Sequence, residues 1–431
     1  MKIKTKALFC LSLGFLFSCI IIISSCGKDE GVLPTEIINF SGTESLDSIS
    51  HATDSLLKVP GESSTNVPNE EKGKDTITTI TPPAAPPVLE SEQNISISET
   101  AFRVERFLPQ GYAKDGSVDY TNYLQQAVNQ YSELVFPGFP LLINDGGLKI
   151  PSNRTIYFSE GSELRLKPTS KANYAIIHIK NASNITLHNP RITGDRYSHK
   201  GTVGEWGNGI AIYSSSNITI NEAQVYDCWG DGIYLGTSGN GTNKDIKLVK
   251  PYLKSNRRAG ISVTDADGLQ IISAYAGYSD GTSPYCGINV EPNNEKNIIN
   301  NITISNPITE RNKGNGIQLV LSNLYGTTTK QVNINITGHT DRASFYAYKI
   351  GNKRPDFSGY LEGQIITTNP IWLNSEDRPL WMSQTDPKLK VYISKPKITP
   401  KPGTSVSKRT SIDSQLRFGL KSISLPFILT L

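Results

Sequence analysis

Gly-Ile, then one variable residue and one aliphatic, recurs five times along the chain. The copies are Gly209-Ile210-Ala211-Ile212, Gly232-Ile233-Tyr234-Leu235, Gly260-Ile261-Ser262-Val263, Gly287-Ile288-Asn289-Val290 and Gly316-Ile317-Gln318-Leu319. Successive glycines are 23, 28, 27 and 29 residues apart. A second alternating segment keeps phase with it: Asn184-Ile185-Thr186-Leu187, Asn217-Ile218-Thr219-Ile220, Asp245-Ile246-Lys247-Leu248 and Asn301-Ile302-Thr303-Ile304. A third, shorter one follows at Arg191-Ile192, Gln224-Val225, Tyr252-Leu253 and Pro307-Ile308, which puts Ile192, Val225, Leu253 and Ile308 in one inward column.

Three short strands in every repeat of this length predict a solenoid of triangular section. Inward Ile, Val and Leu stack on their equivalents one coil up, while Thr, Asn and Lys face water. The expected fold is all-β, a right-handed parallel β-helix with three strands per coil. Leucine-rich and propeller repeats are poor fits, because their signatures are missing and no helical period separates the strands. The Asn-x-Thr triplets read as turn asparagines leading into strands rather than as glycosylation sites.

A different piece precedes the repeats. Asp119 is placed to cap a helix in which Leu124, Ala127, Val128 and Tyr131 share one face. A solenoid needs its open end covered, and this helix is the expected cap. Beyond Arg342 the register blurs, although Tyr360–Ile366 and Val391-Tyr392-Ile393 read as further strands. The expected β-helix domain spans 101–400, and 401–431 stay unassigned. Asp115-Gly116-Ser117-Val118-Asp119, the helix, Val135-Phe136-Pro137 and Pro151–Ile156, followed by the Gly-Ile coils, resemble pectate-lyase-superfamily β-helix proteins over roughly residues 105–340. The resemblance implies fold and superfamily, not one particular enzyme.

The N-terminal region changes where such a domain is expected to work. Lys2, Lys4 and Lys6 precede an apolar run from Ala7 to Ile23, which ends in Ile23-Ser24-Ser25-Cys26. That ending resembles the bacterial lipobox and implies a signal peptide over 1–26 with lipid attached at Cys26. Gly27-Lys28-Asp29-Glu30 is similar to the signal that sends Bacteroidetes lipoproteins to the outside of the outer membrane. Residues 27–100 are rich in Ser, Thr, Pro and Glu and read as a disordered stem. They hold 13 acidic and 4 basic side chains, so residues 101–431 carry a net charge of +10 on an acidic tether of −9. That balance suits an anionic partner. Cys228 and Cys286 fall two coils apart, about 10 Å at ordinary coil spacing, too far for a disulfide.

The unusual residues crowd into the turn that leads into each Gly-Ile strand. In successive coils it reads Gly194–Lys200 with Glu205-Trp206, then Tyr226–Asp231, Asn256-Arg257-Arg258, Tyr278–Gly281 and Glu310–Lys313. Stacked coils should gather these turns and the outward Tyr213, Tyr234, Thr264, Asn289 and Glu291 into one patch about 20 Å long. Trp206, Trp229, Tyr234 and Tyr278 offer faces for pyranose rings, and Glu205 and Arg196 offer polar contacts. The expected partner is a polysaccharide, anionic or decorated, met by a monomer. Nucleic acid is not expected at the surface of a lipid-anchored, exported protein.

Two mechanisms fit the superfamily. A glycoside hydrolase needs carboxylates on both sides of the glycosidic oxygen, and Asp227, Asp231, Asp265 and Glu291 are the candidates. The strand series resembles polygalacturonases only loosely. Trp206-Gly207-Asn208-Gly209 lacks their first acid, Trp229-Gly230-Asp231-Gly232 keeps one aspartate, and Arg258-Ala259-Gly260 has no histidine. A lyase instead needs a cationic clamp on a uronate, for which Arg257 and Arg258 are suited, and a base such as His199, Lys200 or Tyr278. The lyase stands slightly ahead of the hydrolase or epimerase, and non-catalytic glycan binding is the alternative. Calcium, frequent in pectate-lyase-like sites, would call on Asp227, Asp231 and Glu291.

Overall fold

The computed structural model describes residues 97–352, 356–383, 386–405 and 407–410, with Ser414 and the strand Ile428–Leu429. The leader, Cys26 and all but the last residues of the stem lie outside these. The Gly-Ile segments form one parallel sheet of nine strands, from Leu148–Lys149 to Arg378–Met382. The Asn-Ile segments form a second of eleven, from Phe102–Arg103 to Leu389–Ser394. The short segments form a third of eleven, from Pro140–Ile143 to Ile428–Leu429. The chain is a right-handed parallel β-helix with three strands per coil.

Period-two alternation makes the core. Ile210, Ile233, Ile261, Ile288 and Ile317 align from coil to coil and have no exposed surface. Each such burial contributes about 1.5–3 kcal/mol. The glycine before each isoleucine answers to the neighbouring coil rather than to a turn. A Cβ on Gly260 would lie 2.7 Å from the carbonyl oxygen of Gly287, and one on Gly287 would lie 2.7 Å from that of Gly316. Backbone sits where the side chain would be.

The asparagines of the second sheet also stack. Asn184 Nδ2 donates to Asn153 Oδ1 at 2.9 Å, and Asn217 Nδ2 to Asn184 Oδ1 at 2.8 Å. All three have φ between 53° and 60°, left-handed backbone that asparagine tolerates better than most side chains.

The helix spans Thr121–Gln130. The residue at the cap position is Tyr120, which makes no side-chain cap bond; Asp119, one residue earlier than a cap, accepts instead from Thr121 N at 3.0 Å and from Thr121 Oγ1 at 2.6 Å. Leu124, Ala127 and Val128 are fully buried, and Gln125 Oε1 accepts from Lys149 N at 2.8 Å on the first strand of the Gly-Ile sheet. Tyr131 ends the helix and stacks on Phe102 at 3.7 Å.

Two further expectations change. Beyond Arg342 the register does not blur: Tyr346–Ile350, Leu361–Thr368, Ile371–Leu373, Arg378–Met382, Leu389–Ser394 and Lys397–Thr399 continue all three sheets. The inward column of the third sheet also runs through Thr309, not Ile308. Ala276 pairs with Thr309, Thr309 with Asp341, and Asp341 with Trp372. The polar residues are tolerated inside because they satisfy one another. Trp372 Nε1 donates to His339 Nδ1 at 3.2 Å, so His339 Nε2 carries the proton and donates to Thr309 Oγ1 at 2.8 Å. The Thr309 hydroxyl then donates to Asp341 Oδ1 at 2.7 Å. Burial pushes His339 down to about 3 and Asp341 up to about 7.

Candidate functional site

The turns into the Gly-Ile strands do lie over one another, but their side chains sort into three groups. In the first, coil stacking brings carboxylates from separate turns onto Arg258. Its Nη1 is 3.1 Å from Asp231 Oδ2, and its Nε is 3.3 Å from Glu205 Oε2. Burial alone would lower the guanidinium's affinity for its proton, but Asp231, Glu205 and Glu291 hold it above the ordinary value. Asp231 has no exposed surface, and burial pushes its carboxyl up although Arg258 pulls it back. The Glu205 side chain is 37% exposed and open to solvent.

Beside this group runs the outward ladder Tyr234, Ser262, Asn289, Gln318. Asn289 Nδ2 donates to Glu291 Oε2 at 3.1 Å, and Tyr234 OH lies 3.3 Å from Thr264 Oγ1. Tyr213 and Tyr234 approach at 5.6 Å between ring centroids.

The second group is a staple. Trp229 lies between the His199 ring, stacked at 4.0 Å, and the Arg257 guanidinium, 3.8 Å from its centroid. Trp229 Nε1 and Arg257 Nη1 both donate to Gly204 O, at 3.1 and 2.9 Å. His199 Nδ1 meets Asp195 Oδ2 at 2.8 Å, and the Tyr174 hydroxyl donates to the other Asp195 oxygen. No His199 side-chain surface is exposed, so it cannot reach a substrate in this arrangement. What these residues do is clamp the long turn of 194–205 to the coil wall. Of the hub of that clamp, the sequence places Asp195 only as one member of the turn and gives no role to Tyr174. The only signal was Asp195 four residues before His199.

The third group lies further round the corner. Arg196 donates to Ser255 O at 2.7 Å and pairs with Asp280, while Lys254 Nζ sits 4.9 Å over the Tyr278 ring. Burial raises the Asp227 carboxyl, with Arg196 and Lys254 opposing it. Asp227 and Tyr278 occupy the same left-handed turn position in their coils, φ 54° and 61°, and are not drawn to the Arg258 cluster. Trp206 is separate again. It opens its strand with 47% of its surface exposed, and exposed Tyr197 and Val203 lie on the same long turn.

Among the described residues no group of three or more His, Cys, Asp or Glu side chains is arranged to hold a metal ion. Asp227 stands apart from Asp231 and Glu291, and the cation at the carboxylates is Arg258, so no calcium donor set is formed. Cys228 and Cys286 are buried and unpaired.

No family model matches the chain. It is similar to two uncharacterised proteins of Bacillus subtilis (strain 168). YclG is 26% identical over 220 residues, 44% of this chain and 38% of that one. The SPbeta prophage-derived YorA is 29% identical over 163 residues, 34% of this chain and 28% of that one. The matched region thus spans well under half the length of either relative. Among solved structures, the Streptococcus pneumoniae surface protein and adhesin PfbA aligns with 71% of this chain and 87% of its own, at 13% identity and a TM-score of 0.54. A mutant tailspike protein of E. coli bacteriophage HK620 in complex with a pentasaccharide aligns with 70% and 58%, at 13% identity and a TM-score of 0.54. The endo-xylogalacturonan hydrolase of Aspergillus tubingensis aligns with 68% and 84%, at 14% identity and a TM-score of 0.50. At such identities the likeness is one of fold.

Proposed function

We propose that this chain is a surface protein that binds a polysaccharide along the outward face of the Gly-Ile sheet and hydrolyses it there. The observation that carries this reading is the pairing of Arg258 with Glu205 and Asp231, from two other coils, beside Tyr213 and Tyr234, with Glu291 adding to the negative charge the guanidinium feels. Glycoside hydrolysis needs one carboxyl group to protonate the leaving oxygen and another to act as base or nucleophile. We assign these two roles to Glu205, which meets Arg258 and is open to solvent, and to Glu291, which lies one coil on at the other end of the Gly-Ile strand and is held by Asn289. Asp231, enclosed behind Arg258, sets the charge between them.

The cluster favours hydrolysis over the lyase reaction. A lyase needs a free cationic clamp for a uronate, and two carboxylates already engage Arg258. Three carboxylates also disfavour an anionic sugar at the reacting position, so the reacting residue of the chain is neutral and acidic decorations lie elsewhere. The hydrolase and the pentasaccharide-bound tailspike support a glycan as partner, and the adhesin supports a place at the cell surface. Lipid at Cys26, with the acidic stem as tether, completes the proposal; loss of labelled palmitate from Cys26→Ala tests it. One observation favours binding without cleavage: Asp231 has no surface open to a substrate.

The deciding experiment incubates the full-length chain with a panel of neutral and uronate-bearing polysaccharides. New reducing ends without ultraviolet absorbance from unsaturated ends support hydrolysis. Absorbance would move the reading to a lyase. Retention on a glycan-loaded gel with silence in both assays would leave a binding protein.

A further inference from the structure

Glu291 stands at the end of a directed chain of buried amides. Asn289, Gln318 and Asn315 are only 2%, 4% and 5% exposed, although they lie on the outer face of the Gly-Ile sheet. Asn289 Nδ2 donates to Glu291 Oε2 at 3.1 Å, Gln318 Nε2 to Asn289 Oδ1 at 3.0 Å, and Asn315 Nδ2 to Gln318 Oε1 at 2.6 Å. Asn315 Nδ2 also lies 3.5 Å from Cys286 Sγ, whose thiol donates to Pro284 O at 3.2 Å.

The polarity of this chain follows from its end. A carboxylate only accepts, so Asn289 must present its NH2 to Glu291 and turn its oxygen to the next coil. Gln318 must then supply its own NH2 and offer its oxygen to Asn315. Each amide dipole points the same way, and hydrogen bonds in such a series strengthen one another. None of the three has an alternative partner in water, so the arrangement is fixed once Glu291 is in place.

We propose that Gln318, which does not touch the Arg258 cluster, is a positioning residue that acts through Asn289 to hold Glu291 in its working orientation. This rests on the hydrolase reading above. Asn289 without the Gln318 donor is free to turn away from Glu291, and losing its charge-assisted bond to that carboxylate should lower the chemical step about tenfold.

The test is Gln318→Met in the full-length chain, followed by kinetics and by crystal structures of both forms. The expected result is kcat down about tenfold with KM unchanged, and Glu291 turned away from Asn289. An unchanged kcat with Glu291 still on Asn289 would overturn the proposal. If wild type cleaves no glycan, the crystal structures decide alone: a displaced Glu291 keeps the relay and removes the hydrolase, and an undisturbed one removes the relay. Should Gln318→Met fail to fold, Asn315→Ala cuts the chain one link further out and is read in the same way.

Discussion

Arg258 Nη1 lies 3.1 Å from Asp231 Oδ2, with the aspartate fully enclosed and the arginine side chain 14% exposed. The pair comes from adjacent coils, so the solenoid's repeat sets its geometry rather than any local turn. A carboxylate buried without its cation is costly, and breaking such a pair costs about 3–5 kcal/mol. Arg258→Met should therefore lower the urea midpoint markedly. Adding Asp231→Asn to that variant should recover part of the loss, because the orphaned charge goes with it. Equal midpoints for wild type and Arg258→Met would mean that the pair carries no stability.

Glu205 shares the same guanidinium at 3.3 Å but from a more open position. Glu205→Gln should cost under about 1 kcal/mol, as exposed pairs do. On the proposed mechanism it should nevertheless abolish reducing-end release while glycan retention on a gel persists. Full activity in this variant would remove Glu205 from the chemistry.

His199 and Trp229 hold the turn of 194–205, not a substrate. His199→Ala should leave the far-ultraviolet circular dichroism of the β-helix unchanged, because the stacked interior columns do not involve it. Limited trypsin digestion should instead become faster at Lys200, as the clamp made with Asp195 and the Trp229 ring is lost. A digestion rate equal to wild type would show that the turn is held by other contacts.

Much of the fold was legible because the repeat writes itself in residue types that have no substitute. Gly260 and Gly287 recur since the carbonyl one coil on occupies the space of their Cβ atoms. Asn184 and Asn217 recur since left-handed backbone and a side-chain ladder suit asparagine. The column through Thr309 is hidden from alternation for a physical reason. Alternation identifies an interior position by its apolarity, and Ile308 is apolar while the true interior residue is paid for by partners on the next coil. The site was only partly legible for a related reason. Register predicts which turns stack, but not whether a side chain lies across the coil wall, as Trp229 does, or turns toward Arg258, as Glu205 does.

Gly260→Ala tests the glycine column directly. Its added Cβ would meet Ala276 Cβ and the Gly287 carbonyl oxygen, both at 2.7 Å. Backbone on the next coil cannot yield without shifting its own strand, so a loss of about 1–3 kcal/mol is expected. A thermal midpoint within error of wild type would show that the coils have slack.

The buried pair of His339 and Asp341 makes a prediction in which the sign decides. Burial lowers His339 from 6.5 to about 3 and raises Asp341 from 3.8 to about 7. Between pH 3.8 and 6.5 the unfolded chain therefore carries a proton on His339 and none on Asp341, while the native chain carries one on Asp341 and none on His339. Each state binds one proton, so together the two groups give stability no slope with pH in that window. Asp341→Asn leaves the histidine alone: stability should then rise with pH by about 1.4 kcal/mol per unit up to 6.5 and level off above it. His339→Gln leaves the aspartate alone, and stability should fall at a similar slope from pH 3.8 to about 7. Urea midpoints of the three proteins, taken at half-unit steps across the window, should diverge in opposite directions from wild type. Three parallel curves would show that neither group changes its proton affinity on folding, and that the polar column of the third sheet is no more than a hydrogen-bonded filler.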